Sequence, residues 1–206
     1  MSLFTKKCAI VASAASKSES RPELSGVLVM PDGMAATDGY ILAEVKMKRQ
    51  AKDEDYPVID GKPAPITLPA PVIAPAKFID QLGKSIGKHP ALTILENAAL
   101  VKSTDTDIAF TTTNLENATE HTSRTIAGKF PNYEDIIPKT DPTASVTVDA
   151  GLLLRVAKIL ANFYKGGNHL KSVKINVHGA TSPIVLTAET SDHSARVLIM
   201  PMIMRT

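Results

Sequence analysis

The stretch Gly128-Lys129-Phe130-Pro131-Asn132-Tyr133-Glu134-Asp135-Ile136-Ile137-Pro138 divides this sequence into two parts with related patterns. Gly128 permits a sharp turn, while Pro131 and Pro138 fix their φ angles and disfavour helix. The stretch is also too apolar for an ordinary solvated loop, because it contains Phe130, Tyr133, Ile136 and Ile137. We therefore predict a rigid connector, covered by neighbouring elements, that joins repeated modules.

The bulk composition limits the class of protein. The 206 residues, 44% of them hydrophobic, can form one or two domains with a sizeable core. The net charge of +2 argues neither for nor against nucleic acid, so any basic surface must come from the distribution of charges. The single Cys8 excludes a disulfide framework and fits a reducing compartment, by default the cytoplasm.

The N-terminal region imitates a signal peptide, since Lys6 and Lys7 precede an alanine-rich run. The run is short and is followed by charged residues, as in an amphipathic helix. No stretch approaches the roughly 20 apolar residues that a membrane span needs. We expect a soluble protein without a membrane partner.

Before the connector, the order strand, helix and at least three strands occurs twice. In the first copy the leading strand is predicted at 3–6, the helix at 7–17 and the three strands at 24–30, 34–37 and 41–47. Its helix has an apolar face made of Ile10, Val11, Ala14 and Ala15. Turns at Pro31-Asp32-Gly33 and Thr37-Asp38-Gly39-Tyr40 separate its strands.

The second copy follows a charged, proline-rich loop from Lys48 to Pro65, in which Asp53-Glu54-Asp55 are expected to be solvated. Its leading strand is predicted at 70–73 and its helix at 76–87. The strands after the helix are predicted at 92–95, 98–103, 108–113 and 121–126. At about 100° per residue, one helix face is apolar, with Phe78, Ile79, Leu82 and Ile86. The opposite face is basic, with Lys77, Lys84 and Lys88.

A third copy follows the connector, with a strand at 145–148, a helix capped by Asp149 that runs to about Tyr164, and strands at 173–177, 183–188 and 195–202. The apolar face of this helix consists of Leu152, Leu153, Val156, Leu160 and Phe163. Arg155, Lys158 and Asn162 lie away from it. We predict an α+β fold of about three modules, divided into domains at 1–138 and 139–206.

Catalytic and metal-binding motifs are absent from the sequence. It has no glycine-rich phosphate loop, no GxSxG elbow and no paired-histidine zinc helix. The five histidines are scattered, and no His, Cys, Asp or Glu pair has ligand spacing. We therefore expect a binding protein rather than an enzyme, with no cofactor and no metal.

Four segments resemble the bacterial sliding clamp, the beta subunit of DNA polymerase III: Arg21-Pro22-Glu23-Leu24-Ser25-Gly26-Val27-Leu28, Ala36-Thr37-Asp38-Gly39-Tyr40-Ile41-Leu42-Ala43, the connector, and Val197-Leu198-Ile199-Met200-Pro201-Met202. Residues 1–138 resemble the complete middle domain of the clamp, and residues 139–206 resemble the final half of its last domain. The resemblance implies a DNA-clamp fold of one and a half clamp domains, in which module helices line a central hole.

The resemblance implies two binding surfaces. The first would meet the phosphates of duplex DNA through basic residues on the helices: Lys6, Lys17, Lys77, Lys84, Lys88, Arg155 and Lys158. The alternative is that these side chains only solubilise the helices.

The second surface is a hydrophobic groove for short peptides of polymerases and other replication proteins. Its residues before the end of the connector would be Leu24, Thr37, Gly39, Tyr40, Ile41, Leu42, Pro131, Asp135 and Ile136. Its residues after the connector would be Asp149, Leu152, Thr181, Pro183, Leu198, Ile199, Met200, Pro201 and Met202. The alternative is that these residues only pack a domain junction. Ile41 and Asp135 stand where the family often has basic residues, which weakens or reverses a preference for acidic peptides.

The sequence thus predicts a sliding-clamp-like processivity factor that surrounds DNA and tethers replication proteins. A clamp protomer has six modules and two protomers close a ring, so three modules predict self-association, with four chains closing a ring of twelve. The alternative is an interaction module or decoy that binds clamp-binding peptides without encircling DNA. An enzyme of unknown type would need a polar pocket that the sequence does not reveal.

Overall fold

The computed structural model describes residues 3–18, 20–47, 58–59, 62–63, 70–86, 98–104, 106–113, 117–165 and 171–202. The chain divides into two compact units, unit 1 (Met1–Ile136) and unit 2 (Ile137–Thr206). Four predicted features lie outside the described residues: the acidic triplet 53–55, Lys88, the strand at 92–95 and most of the loop 48–65.

Unit 1 contains two modules. The first consists of β1 (Leu3–Thr5), α1 (Lys6–Ala9) with a 3₁₀ continuation (Ile10–Ala14), a 3₁₀ turn (Pro22–Leu24), β2 (Gly26–Met30), β3 (Gly33–Thr37) and β4 (Leu42–Lys46). A small antiparallel pair follows, β5 (Val58–Ile59) and β6 (Lys62–Pro63). The second module consists of β7 (Val72–Pro75), α2 (Ala76–Ser85), β8 (Ala98–Ser103), β9 (Asp107–Thr113) and β10 (Ala118–Arg124). The alternation of helices and strands confirms the α+β class.

The first helix differs from its prediction. It is α-helical only to Ala9 and continues as a 3₁₀ helix to Ala14, instead of running to residue 17. A 3₁₀ helix has three residues per turn, so the 3.6-residue spacing that grouped Ile10 with Val11 does not apply there. Val11 is buried, whereas Ile10 is 63% exposed. The expected apolar face was therefore wrong at Ile10.

The two modules of unit 1 exchange their leading strands. One sheet has the order β4-β3-β2-β7 and the other β1-β8-β9-β10, so each leading strand pairs with the first strand of the other module's three-stranded meander. The register places Val27 opposite Ala74 in one sheet and Phe4 opposite Ala99 in the other. The sequence predicts the order of the elements, but not this exchange, because the pairing is non-local.

A single core lies beneath both sheets and is shared by both modules. The two helices contact each other there, and Gly83 lies so close to Ala9 that a Cβ at Gly83 would be 2.7 Å from the Ala9 side chain. Large side chains from both modules are fully buried, among them Phe4, Val11, Met34, Ile79, Ile108 and Phe110. Full burial of such a side chain stabilises a fold by about 1.5–3 kcal/mol. The two modules therefore stabilise each other.

Unit 2 contains one module, with α3 (Ala150–Phe163), β11 (Lys174–Asn176), β12 (Ile184–Glu189) and β13 (Ser194–Ile199). Its sheet has the order β11-β12-β13, and its core contains Val156, Leu160, Tyr164, Ile184, Leu186, Ala188 and Ile199. β13 ends at Ile199 instead of continuing to Met202.

The predicted strand at 145–148 does not form a ladder within the described residues. A backbone hydrogen bond connects it to the segment that follows β13: Met202 N–H donates to the Thr147 carbonyl oxygen at 2.7 Å. Val146 and Val148 are half-buried against the core of unit 2, while Thr147 is exposed. The alternating pattern correctly indicates an extended segment with one face inward.

The connector is partly covered. Phe130 and Tyr133 are buried, with their rings edge to face at 6.1 Å, and they pack with Ala35 and Ile73. A 3₁₀ turn, Tyr133–Asp135, forms between the two prolines. Ile136 and Ile137 are exposed, so the predicted covering holds for the aromatic half of the connector and was wrong for the two isoleucines.

No helix within the described ranges is long and apolar enough to cross a membrane.

Candidate functional site

A basic surface lies on the helices of unit 1. Lys77 and Lys84 are exposed on α2, on the side away from the buried Ile79 and Leu82. Lys6 is exposed at the start of α1, and Lys17 is exposed after the 3₁₀ continuation. Because α1 and α2 pack against each other, their outer faces are neighbours.

An acidic residue that the sequence analysis did not consider modifies this surface. Asp80 Oδ2 accepts from Lys84 Nζ at 2.6 Å, an i,i+4 pair on an exposed helix face. Lys77 makes no ion pair with any described residue. The pair offsets part of the positive charge of Lys84, so Lys77 offers the freer cation of the two.

The helix of unit 2 also presents cations to solvent. Arg155 and Lys158 are exposed on α3, whereas Val156 and Leu160 are buried beneath the sheet. The predicted apolar face is thus correct at its centre. Leu152 and Leu153, at the start of the helix, are exposed instead of buried.

A structured turn follows β3 in unit 1. The Thr37 hydroxyl donates to the Ile41 carbonyl oxygen at 2.6 Å and accepts from Gly39 N–H at 3.1 Å. Gly39 has φ of 93°, a left-handed conformation that glycine adopts without strain. Asp38 Oδ1 accepts from Tyr40 N–H at 2.8 Å and from Ile41 N–H at 2.9 Å.

These bonds favour the ionised form of the Asp38 carboxyl and position the backbone of Tyr40 and Ile41. The backbone N–H groups of Ile41 and Tyr40 hold the pKa of the Asp38 carboxyl below its ordinary value. A depressed pKa stabilises the turn above the unfolded-state pKa, and this contribution is lost as the pH falls through the folded-state pKa. The ordered turn presents Tyr40, 96% exposed, and Ile41, 55% exposed.

Other predicted groove residues of unit 1 have different surroundings. Leu42 packs against the cluster that contains Phe130 and Tyr133, while Pro131, Asp135 and Ile136 are exposed. Asp135 accepts from the Asn132 side chain at 2.5 Å. Leu24 and Thr37 are buried; Leu24 ends the 3₁₀ turn, and the Thr37 hydroxyl bonds within its own turn. These two residues therefore offer little side-chain surface to solvent.

The connector is bonded to β4 through Tyr133. Its hydroxyl donates to Glu44 Oε1 at 2.6 Å, and Glu44 also pairs with Lys46 at 3.1 Å. Burial, followed by the bond to Glu44, raises the pKa of the Tyr133 hydroxyl, so it remains a donor at neutral pH. Glu44 in turn raises the pKa of Lys46.

The predicted groove residues of unit 2 include an apolar strip. Leu198, Met200 and Met202 are exposed and alternate along the last strand and its extension, while Ile199 is buried on the other face. Side chains that alternate in an extended segment point to the same side, so the three form one surface. Methionine side chains adapt readily to apolar partners.

The remaining predicted residues of unit 2 lie elsewhere on the module. Pro183 and Pro201 are half-buried and Thr181 is exposed. Asp149 caps α3, since its Oδ1 accepts from Leu152 N–H at 2.8 Å.

Sequence reasoning missed a cleft of about 1110 Å³ in unit 1. Apolar residues line it, including Leu28, Met30, Val72, Ile73 and Phe130. Polar residues line it as well, including Thr106, Asp107, Arg124, Lys129 and Asn132. Pro131 is the one predicted groove residue among its lining residues. Residues 124–134, which include the first part of the connector, line one side of the cleft, and the other lining residues come from distant parts of unit 1, which no sequence pattern groups with them.

Within the described residues, no group of three or more His, Cys, Asp or Glu side chains is arranged to hold a metal ion.

Comparison with solved structures identifies the fold. The beta sliding clamp of Caulobacter crescentus matches with a TM-score of 0.64 and 23% identity, over 97% of this chain and 50% of that one. The Pseudomonas aeruginosa sliding clamp matches with a TM-score of 0.64 and 20% identity, over 97% and 50%. The Helicobacter pylori beta clamp, solved with a DNA ligase peptide, matches with a TM-score of 0.65 and 14% identity, over 95% and 47%.

No family model and no curated protein matches the chain. At these identities the structural matches establish the fold alone. They confirm the expected resemblance: the chain has the bacterial sliding-clamp fold over about half the length of these clamps.

Proposed function

We propose that this protein is a non-catalytic, sliding-clamp-like processivity factor that surrounds duplex DNA and tethers replication proteins. The observation that best supports this proposal is the sliding-clamp fold, which extends over 97% of the chain. Unit 1 would correspond to the middle domain of a clamp and unit 2 to the final half of its last domain. The proposed compartment is the cytoplasm, in keeping with the single cysteine.

The basic helix faces support the DNA part of the proposal. Exposed lysines on α1 and α2, together with Arg155 and Lys158 on α3, would meet phosphates. Contacts with phosphates hold DNA without reading its sequence, as a sliding protein requires. The Asp80–Lys84 pair keeps this attraction moderate, which favours movement along the duplex.

Two apolar surfaces support the peptide part. The Tyr40–Ile41 turn in unit 1 and the Leu198–Met202 strip in unit 2 expose the kind of side chains that bind short apolar motifs. The Helicobacter pylori clamp was solved with a peptide of DNA ligase, and we propose that this chain binds peptides of polymerases and other replication proteins. Since Ile41 is neutral and Asp135 acidic, neutral or basic peptides would bind better than acidic ones.

The decisive experiment compares circular and linear DNA. A closed ring is held by topology, so the protein should remain on nicked circular DNA at high salt and be lost when the same DNA is linearised. Equal loss from both forms would contradict encirclement.

Replacing Lys77, Lys84 and Lys88 by alanine should reduce the salt dependence of the initial association with DNA. An unchanged slope of this salt dependence would show that α2 is not part of the DNA-binding surface.

The second candidate is an interaction module or decoy that binds clamp-binding peptides without encircling DNA. It is favoured by the extent of the match, because the chain spans about half the length of the solved clamps. Such a module would bind peptide, remain monomeric and show no difference between circular and linear DNA.

A further inference from the structure

Unit 2 exposes apolar side chains on its helix and around its first strand. On the helix these include Leu152, Leu153 and Ile159, and around β11 they are Val173, Ile175 and Val177. Within the described residues, β11 pairs only with β12, so its other edge is open. An open strand edge and an apolar helix surface are features that a second module can cover.

Unit 1 shows what covers the same features there. Its modules are related, and each gives its leading strand to the first meander strand of the other: Phe4 lies opposite Ala99, and Ala74 lies opposite Val27. Phe4 and Ala74 each lie two residues before the first residue of the following helix. In both modules, the residue two positions before the helix lies opposite a residue near the start of the other module's first meander strand. Unit 1 therefore provides a template with a defined register.

The extended segment 145–148 occupies the leading-strand position of unit 2. In unit 1, Ile126 N–H, after the last strand of the second module, donates to the Ile73 carbonyl oxygen at 2.7 Å. In unit 2, Met202 N–H donates to the Thr147 carbonyl oxygen, also at 2.7 Å. Ile73 and Thr147 each lie three residues before their helix. Segment 145–148 is therefore held as β7 is, on the side that faces its own module.

The first meander strands also correspond. Ile175 lies opposite Leu186 in the sheet of unit 2, as Val29 lies opposite Met34 in unit 1, and both Leu186 and Met34 are buried. Val29 has a second neighbour in β7 and is 0% exposed, whereas Ile175 is 60% exposed. Val29 is less exposed than Ile175 because β7, which belongs to the second module of unit 1, lies beside it.

The helices show the same difference. The fourth residue of α2, Ile79, is 0% exposed, and the fourth residue of α3, Leu153, is 45% exposed. The eighth residue of α2, Gly83, is buried against Ala9 of α1. Its equivalent, Ala157, is small and exposed. The surface of α3 therefore retains a low point where a second helix can approach closely.

We infer that two copies of unit 2 complete each other, each giving its segment 145–148 to the open edge of β11 in the partner. Among the residues that the structure describes, segment 145–148 and one edge of β11 both lack a ladder partner, so a two-fold arrangement would satisfy both at once. The template sets three cross-strand pairs: Val148 opposite the partner's Val173, Thr147 opposite the partner's Lys174, and Val146 opposite the partner's Ile175. This inference specifies the interface of the self-association in the proposed ring, and it does not depend on DNA binding.

The pairing is testable with two new cysteines in the full-length chain. Thr147 and Lys174 are exposed, and because the Thr147 carbonyl faces its own Met202, the two would form a non-hydrogen-bonded pair with Cα atoms about 4.5 Å apart. That separation suits a disulfide. Within one chain the two residues lie at opposite edges of the module, roughly 14 Å apart across three strand spacings. The native Cys8 is buried and should not react.

The double variant Thr147→Cys/Lys174→Cys should become mostly covalent dimer under mild oxidation, as read on a non-reducing gel. Lys174→Cys alone should remain monomeric on that gel. A pair shifted by three residues, Thr147→Cys/Lys171→Cys, should also yield at least tenfold less dimer. Equal crosslinking of the shifted and matched pairs, or none by the matched pair, would overturn the inference.

A charge substitution tests the interface without cysteines. Ile175→Glu should lower the mass measured by light scattering, whereas Ile10→Glu, at a similarly exposed isoleucine of unit 1, should leave it unchanged. A wild-type chain that is monomeric at tens of micromolar would refute the pairing. An oligomer insensitive to Ile175→Glu would refute this interface while leaving the ring proposal standing. Dimers that crosslink as expected, but fail to distinguish circular from linear DNA, would refute encirclement alone.

Discussion

Asp80 and Lys84 lie one turn apart on the outer face of α2, where their opposite charges offset each other. Removal of the carboxylate charge would leave Lys84 free to meet a phosphate. We expect Asp80→Asn to strengthen association with duplex DNA by about two- to fivefold at low salt, because one more cation becomes available for counterion release.

The measurement is the salt dependence of DNA binding, whose slope should become steeper by about one. Glu120→Gln, a neutralisation of an exposed residue on β10, provides a matched control. A similar gain in both variants would attribute the effect to net charge instead of the α2 surface.

Tyr133 attaches the connector to β4 through its bond to Glu44. We expect Tyr133→Phe to lower the free energy of unfolding by about 1.5 kcal/mol, the low end for a hydrogen bond to a charged group, since the bond to the Glu44 carboxylate is lost. The cost should stay near that value because Glu44 keeps its pairing with Lys46. Denaturant unfolding followed by circular dichroism measures the change.

Tyr40 offers a control for that substitution, because it is almost fully exposed. Tyr40→Phe should leave unfolding unchanged. If Tyr133→Phe were equally silent, the connector would not depend on this bond for its position.

At the level of single residues, periodicity predicted the buried positions at the centres of the two regular α-helices, although Leu152 and Leu153 at the start of α3 are exposed. Ile79, Leu82, Val156 and Leu160 are buried as expected. Ile10 was misassigned because the backbone there is 3₁₀. Asp80 lies on the basic face of α2, where a pattern of lysines and apolar residues alone does not reveal its pairing with Lys84.

At the level of elements, Asp149 has an observed structural role as the cap of α3. We expect Asp149→Ala to destabilise unit 2 by about 1 kcal/mol, and Asp149→Ser to retain most of that stability, because serine also caps helices. Thermal unfolding followed by circular dichroism measures both.

The same two variants separate capping from peptide contact. If Asp149 acts only as a cap, peptide affinity should fall in the alanine variant and persist in the serine variant. A fall in both would assign the carboxylate a direct contact with the peptide.

The elements themselves could largely be predicted from sequence, because helices and hairpins depend on local patterns. The hairpin around Pro31-Asp32 and the capped helix after Asp149 are examples. The partners of the leading strands could not be predicted, since β1 pairs with a strand nearly 100 residues away in the sequence. Segment 145–148 was predicted to be a strand from its local pattern, but it belongs to no sheet among the described residues. A local pattern indicates an extended backbone and does not show whether a partner strand lies beside it.

At the level of the whole molecule, the proposed ring would have to assemble from several chains before it could hold DNA. Retention on circular DNA should therefore fall steeply on dilution. Chains joined in pairs through Thr147→Cys/Lys174→Cys should be retained at lower concentrations, because fewer association steps remain. A ring of four chains would have four times the 22.0 kDa mass of one chain.

Mass by light scattering, measured beside the retention assay, checks this prediction. Retention that does not change on dilution, or a mass of 22.0 kDa under conditions of full retention, would contradict assembly from several chains.

The candidate surfaces could be predicted in part. The resemblance led to the exposed Tyr40, Ile41 and Met200, but it also included Leu24 and Ile199, which are buried. Surface exposure depends on neighbours from distant parts of the chain, which a motif does not specify. The cleft beside Pro131 could be predicted only on its connector side, because residues 71–73 and 106–107 reach it from distant parts of the chain.

The exchange of β1 and β7 has a mechanical consequence. The first described strand of the chain belongs to the sheet of the second module, so a pull on the N-terminus acts first on β8 and not on the strands next in sequence. Truncation before Lys6, or a bulky tag at that end, should therefore loosen β8–β10 while β2–β4 remain paired. A load applied at one end of unit 1 is transmitted to the module farther along the chain, and neither module can be detached without opening the other.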